Sequence, residues 1–432
     1  MRLRAARNGT AIREYAAGSL WVMPAVGAVV ALGAGLLLSS VRIPSGSPLA
    51  PLLFEGTADD ARTLLIAIAS TVVTVIALVL GLTVVALQLS STQFSPRLLR
   101  NFLRDGATQI VLGVFLATFA YSAAGLYTVG VAAGRRVEDF PRLAVTGAMV
   151  LLFATLGMVV YFADHLAHSL QIDRIAELVQ TSTLAVVRSS PGTSQGDRPA
   201  PPAWAVPVPA RRSGYVERAD PHRLLPLAAA QRVTVLIVPW VGQHVVAGTP
   251  LAWVWGAPAD PRPAPGEFER ALARAVRIGF ERTLEQDCGF GMRQLVDIAC
   301  KALSPAVNDP YTAVQAIEHL EVVCCALAAR PLGDDVAGDP TSGVAVVMTG
   351  RRFGEYIETV CGLLRRYGAH EPTVLVAVLH LLAGCAALTR DDIPRMRALQ
   401  REGALVLGAA AHSMDPADQE QVRLAAAWLD AA

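Results

Sequence analysis

The chain has 432 residues, a net charge of +1, 53% hydrophobic and 17% charged residues, and a mean hydropathy of +0.43. That length admits two or three domains. Such an apolar balance excludes an ordinary soluble enzyme, and the lack of any basic stripe excludes a nucleic-acid surface.

The apolar excess lies before about residue 163, and the remainder has the composition of a globular domain. A bilayer core needs roughly 20 consecutive apolar residues per helix. Four stretches meet that requirement, at about 20–38, 64–89, 110–133 and 143–162, and none contains Asp, Glu, Lys or Arg. The first is too long for a signal-peptide core and no A-x-A site follows Leu38, so it reads as a retained span. Residues 1–170 therefore form a four-span domain. Arg2, Arg4, Arg7 and Arg13 in the tail, with Arg97, Arg100 and Arg104 in the second loop, favour a cytoplasmic N-terminus. Arg42, Arg62, Arg135, Arg136 and Arg142 sit in the first and third loops and dissent. Four spans then return the C-terminus to the cytoplasm. The expected setting is a bacterial inner membrane, with the lipid bilayer as one partner.

The second span is the least lipid-like. Ser70, Thr74, Ala77, Gly81, Val84, Gln88 and Ser91 recur at alternating steps of four and three, which puts them on one helix face. Small residues on one face allow close helix packing within a subunit. The same face can instead wall a permeation path in a homo-oligomer. Both readings stay open. No acid or base inside a span marks a proton relay or a substrate counter-ion.

The chain leaves the fourth span as "DHLAHSLQIDRIAELVQ", a polar helix. His165 and His168 there lack an evident third ligand, so a juxtamembrane helix face explains them better than a metal. Residues 171–210 read as this helix followed by a Pro/Gly/Ser-rich linker. Residues 211–257 change to short β-type runs, with Gly242 and Gly248 bracketing a hairpin-like return. "VGQHVVAGTPL" resembles half of a barrel-sandwich module of the biotinyl/lipoyl-carrier kind. Those carriers need a lysine at the hairpin tip, and this segment has none, so it reads as a structural β module without a cofactor.

Residues 264–432 read as an α-helical domain. "EFERALARAVRIGFERTLEQ" carries Phe268, Leu272, Val276 and Phe280 at steps of four, which predicts one amphipathic helix. Further helices are predicted at about 292–303 and 311–329, and "RPLGDDVAGDPTSG" reads as a surface loop before a short strand, "VAVVM". The six cysteines (Cys288, Cys300, Cys324, Cys325, Cys361, Cys385) fit neither a CxxC motif nor a zinc knuckle and read as buried free thiols. Lys301 is the single lysine.

"DIACKALSPAVNDPYTA", Asp297 to Ala313, is the most particular stretch. Pro305 disfavours helix at Ser304, Asp309 is a good N-cap, Pro310 suits the first helical position, and Thr312 can add a bond to the cap. That makes a helix–turn–helix corner. The alternative is that Ser304, Asn308, Asp309 and Thr312 present ligands to an ion or small polar molecule. Arg282, Asp287 and Asp297, with Glu281 and Gln286, would then line the same cleft. No P-loop, HExxH, nucleophile elbow or dinucleotide fingerprint occurs, and Glu318 and His319 read as solvated helix positions.

"ERTLEQDCGFGMRQLVDIACKALSPAVNDPYTA" (Glu281–Ala313) closely resembles the signature of the bacterial membrane proteins grouped as domain of unknown function 2254, and "ALQLSSTQFSPRLLRNFLRD" (Ala86–Asp105) resembles that family's stretch after its second span. The resemblance implies an inner-membrane protein and supplies no activity, substrate or catalytic residue. The expected fold is thus a four-span membrane α-helical domain with a cytoplasmic region made of a small β module and a C-terminal α-helical domain. The first functional expectation is a homo-oligomeric channel or transport-related protein with a cytoplasmic sensing domain for an unidentified ion or ligand. A membrane-anchored scaffold or sensor without a path is the alternative. An enzyme at the membrane surface is disfavoured, with no catalytic, metal or cofactor residues named.

Overall fold

The computed structural model describes residues 21–41, 53–93, 106–132, 140–169, 171–189, 198–259 and 261–431. They fall into two compact units, residues 1–171 and 172–432.

The first unit holds α1 (Val22–Ser40), α2 (Ala58–Gln93), α3 (Gly106–Ala132) and α4 (Arg142–Ser169). All four are long and apolar enough to cross a membrane. Half of the apolar stretch of α3 is buried, against about a fifth for the others, so α3 is the centre on which α1, α2 and α4 pack. Leu65, Ile68, Val72, Phe115, Val145 and Phe162 fill this core. Small residues set the closest approach. A Cβ on Gly35 would stand 2.9 Å from the Ala124 methyl and 3.2 Å from the Tyr121 carbonyl, so α1 lies against α3 only because residue 35 is glycine. Hydroxyl pairs cross the bundle, Thr118 to Thr155 at 2.9 Å and Ser39 to Thr128 at 3.0 Å. Each such bond in a membrane contributes about 0.6 kcal/mol. The arginines that argue orientation lie outside the described residues, except Arg62 and Arg142.

The second unit opens with α5 (Ile172–Ser189), whose buried stripe of Ile175, Val179, Thr183 and Val186 packs on two later helices. Its strands are β1 (Val206–Pro209), β2 (Gly214–Ala219), β3 (Thr234–Ile237), β4 (His244–Val245), β5 (Pro250–Trp255), β6 (Val276–Gly279), β7 (Asp335–Asp339) and β8 (Val344–Met348). A five-stranded sheet runs β1-β5-β3-β8-β7 and a three-stranded one β4-β2-β6. Among the described strands only β3 and β8 pair in parallel, with Thr234 opposite Ala345. Short helices α6 (Leu225–Gln231) and α7 (Pro265–Ala275) cover these sheets, and Val216, Val235, Ile237, Val254, Phe268, Leu272 and Val346 share one core.

The sheets reach beyond the segment expected to hold the strands. The linker contributes β1, and the expected loop at 330–343 contributes β7, which pairs with β8. Gly242 and Gly248 do sit in left-handed turns, at φ +93° and +86°. Between them β4 joins β2, whereas β5 joins β1 and β3, so the return passes from one sheet to the other. The single helix predicted from Phe268 through Phe280 stops at Ala275. Val276 and Ile278 instead pair with Ala219 and Val216 of β2, and ladder formation by β-branched residues overrides the helical period. Phe268 and Leu272 are buried as expected, whereas Phe280 is 94% exposed.

The remaining helices are α8 (Cys288–Ala302), α9 (Pro310–Ala328), α10 (Phe353–Tyr367), α11 (Pro372–Leu388), α12 (Ile393–Ser413), α13 (Pro416–Ala425) and α14 (Trp428–Ala431). Leu295, Ile317, Leu320, Ile357, Leu364, Leu375 and Leu382 form their interior. All six cysteines are free thiols, four of them buried and Cys300 and Cys325 partly so.

Candidate functional site

The signature stretch forms α8, a corner and the start of α9. At the corner Leu303 closes α8, and Ser304 turns its hydroxyl back onto the Lys301 carbonyl at 2.7 Å. The Val307 and Asn308 amides both donate to the Ser304 carbonyl, and the Asp309 amide donates to Ala302. Asn308 holds the left-handed φ of +50°, which an asparagine tolerates better than most residues. Asp309 then caps α9. Its Oδ1 accepts the Thr312 amide at 3.1 Å and its Oδ2 accepts the Thr312 hydroxyl at 2.6 Å. Those two bonds, the hydroxyl first, hold the Asp309 carboxyl below its ordinary value. The oxygens of Ser304, Asp309 and Thr312 are thus engaged in making the corner itself.

Arg282 and Asp287 are elsewhere. They sit in the loop between β6 and α8, not on a helix, and Asp287 is the N-cap of α8. A 15-residue helix spans about 22 Å. That length separates Asp287 from Ser304, so the seven candidate residues do not line one cleft. Asp297 lies between the two ends, half-buried on α8.

The Asp287 end is a closed polar clasp. Arg282 gives Nε at 2.9 Å and Nη2 at 2.7 Å to Asp287 Oδ2, while Oδ1 accepts the Phe290 amide at 3.1 Å. Asp287 is only 4% exposed. Burial pushes its carboxyl up, and the charge and hydrogen bonds of Arg282 draw it back. Over the pair lies the turn at Gly242, where a Cβ would come 2.0 Å from Asp287 Oδ2. The glycine therefore serves two purposes, a left-handed turn and close passage over a buried ion pair. On the other side Arg351 stacks on Tyr356 at 4.5 Å and donates to the Glu355 carbonyl and the Thr359 hydroxyl, each at 2.8 Å. The Cys288 thiol bonds to Tyr356, and burial pushes both groups up, which leaves Cys288 a poor nucleophile. Gln286 accepts the Ala219 amide at 2.9 Å, tying the same loop to β2.

Sequence reasoning found Arg282 and Asp287 but not their partners. Gly242, Arg351 and Tyr356 lie 45 to 69 residues from Asp287 in the chain, and only the positive-φ glycine carried a local signal. His319 is likewise not a solvated position, since its Nδ1 meets Gln180 of α5 at 2.6 Å. His168 bonds the carbonyl of Asp164 within α4. Among the described residues no group of three or more His, Cys, Asp or Glu is placed to hold a metal.

On α2 the structure separates two faces. Ala61, Leu65, Ile68, Val72, Val79 and Ala86 turn inward, whereas Ser70, Thr74, Ala77, Gly81, Val84 and Gln88 are exposed. A Cβ on Gly81 would meet nothing within 4 Å. The stripe is therefore not a packing seam within the described part of this chain. The side chain of Ser91 lies outside the described residues.

Four helices long and apolar enough to cross a bilayer, joined to a mixed sheet-and-helix unit, are the make-up expected of a membrane protein. More particularly, the chain belongs to the family described as predicted membrane protein (DUF2254), whose model matches residues 17–384. Its relatives include an uncharacterized protein of Mycobacterium bovis and another of Mycobacterium tuberculosis. Each is 44% identical over 425 residues, covering 96% of this chain and 81% of the relative. No solved structure matches the chain.

Proposed function

We propose that the chain is a homo-oligomeric channel or transport protein of a bacterial inner membrane, with both termini cytoplasmic and the 172–432 unit acting as its sensing domain. The observation that carries this reading is the outward face of α2. A 36-residue helix about 54 Å long presents hydroxyls, a glycine and an amide away from its own bundle. Thr74 turns its hydroxyl onto the Ser70 carbonyl of its own helix, so what the face offers a neighbouring copy is close approach, because its small residues let two helix backbones come together. The interior of the single bundle is filled by Leu65, Phe115 and Phe162, so a path between copies is better supported than one through a single chain. The corner at Ser304–Thr312 enters this reading as a rigid support for α9, since its oxygens are engaged in its own fold.

The test has two arms. Ala77→Cys and Gly81→Cys, in a chain whose own cysteines all lie beyond residue 287, should give disulfide-linked dimers in membranes. Ion flux in proteoliposomes should fall when Gly81 and Gln88 are replaced by leucine. Flux unchanged by those replacements would refute the path. Absence of flux, with or without cross-links, would favour a membrane-anchored scaffold or sensor.

A further inference from the structure

A second polar site lies away from the signature, in a cavity of about 390 Å³ between the starts of α10 and α12. That volume suits a small metabolite. Several of the charges around it are already engaged. Arg395 donates to the Ala328 and Arg330 carbonyls at 2.7 and 2.8 Å and pairs with Asp392 at 3.0 Å. Asp334 holds both arms of Arg198, at 2.8 and 2.7 Å, and accepts the Gly350 amide. Glu355 accepts the Arg352 amide at 2.6 Å.

Four charges are left over. Glu402 is the notable one, because it is 4% exposed, lines the cavity, and makes no hydrogen bond or ion pair among the described residues. A buried carboxylate without a partner is costly, and such a group marks either a ligand contact or a defect. Burial pushes its carboxyl up, Arg401 and Arg365 draw it down, and Glu358 opposes them. Glu358 at the rim, and the Arg352 and Arg401 side chains, also make no ion pair among the described residues. The start of α10 at the same cavity is already closed by its own acid, since Glu355 reaches back to the Arg352 amide, so the helix end leaves the Arg352 and Arg401 side chains as the groups that would meet an anion. The leftover set is two acids and two guanidinium groups, with the acid deepest. A metal ion does not fit, since no group of three candidate ligands is present among the described residues.

We infer that this cavity binds a small organic zwitterion, its ammonium group on Glu402 and its anionic end on Arg352 and Arg401. The site is independent of the α2 reading. It shares a wall with Asp334, the carboxylate that fastens Arg198 of the incoming linker, so occupancy and linker position are mechanically adjacent.

The full chain in nanodiscs, titrated calorimetrically with ω-amino acids of increasing length from glycine to 6-aminohexanoate, tests the inference. At least one member of the series should bind once per chain. Glu402→Gln should weaken that ligand at least about tenfold, and Arg352→Ala with Arg401→Ala should do likewise. Glu402→Gln should melt no lower than the parent, because it removes an unpaired buried charge, and this separates lost binding from lost folding. Absence of binding across the series overturns the inference, as does binding that survives Glu402→Gln. Putrescine or glutarate binding as tightly as the best amino acid would also overturn it, since a single sign of charge would then suffice. None of these outcomes depends on whether the protein conducts ions.

Discussion

Arg282→Ala should be among the most damaging single changes in the 172–432 unit. Asp287 is 4% exposed and receives two guanidinium contacts on one oxygen, so removing the arginine strands a carboxylate under the Gly242 turn. Breaking a buried pair from one side costs about 3–5 kcal/mol. For a unit of this size each kcal/mol moves the melting temperature by about 2–4 °C, so a drop of roughly 6–20 °C is expected. The pH dependence follows from the direction of the shift. Burial already raises the Asp287 carboxyl, and losing Arg282 removes the largest opposing influence. A raised folded-state value favours the fold below the unfolded value, near 4, and that contribution disappears as pH rises through the folded value. The deficit of Arg282→Ala should therefore narrow as pH is lowered towards 4. Arg282→Met combined with Asp287→Asn keeps an N-cap and removes both charges, and should recover most of the loss. Thermal unfolding of the full chain in detergent, followed by circular dichroism, is the assay. A single variant within about 1 kcal/mol of the parent, or a double variant no better than the single, would refute the argument.

At the corner, Asp309→Ala should cost about 1 kcal/mol through the lost cap of α9, and Asp309→Asn much less, as measured by urea unfolding. The lowered carboxyl of Asp309 means its contribution is present above the unfolded value and lost as pH falls through the folded one. Phe280→Ser should leave stability unchanged, whereas Phe268→Ala, at a fully buried position, should cost about 3–5 kcal/mol; equal effects in a melting assay would contradict the helix-to-strand boundary at Ala275. Burial pushes the Cys300 thiol up to about 12, so the native protein at pH 8 should alkylate there at least about a hundredfold more slowly than the urea-unfolded chain, read by peptide mass mapping.

What could be read from the chain divides by the range of the interaction. The four long apolar helices were legible because an uninterrupted apolar run needs no partner to identify it. The corner was legible because proline and aspartate act on their immediate neighbours. The boundary between α7 and β6 was not, since Val276 and Ile278 satisfy both a helical period and a strand, and only the distant β2 decides between them. The period of the α2 stripe could be counted, but its direction depends on where α3 and α4 lie. Glu402 was invisible for a different reason. In "QREGALV" it looks like one charge among several on an amphipathic helix, and its burial comes from α10, some forty residues earlier.

The parallel pairing of β3 with β8 has a consequence for how the protein is made. Thr234 must wait for Ala345, so roughly 110 residues of chain separate the two edges. At a synthesis rate of about 5–20 residues per second, β3 leaves the ribosome some 5–20 s before its partner exists. Throughout that interval one side of an apolar strand, Val235 and Ile237 among its residues, has no lasting neighbour. An unpaired edge of this kind recruits whatever strand is nearest, including one from another nascent chain. Truncations ending before Met348 preserve that vulnerable state indefinitely, and any shortened form of the second unit should therefore extend past it.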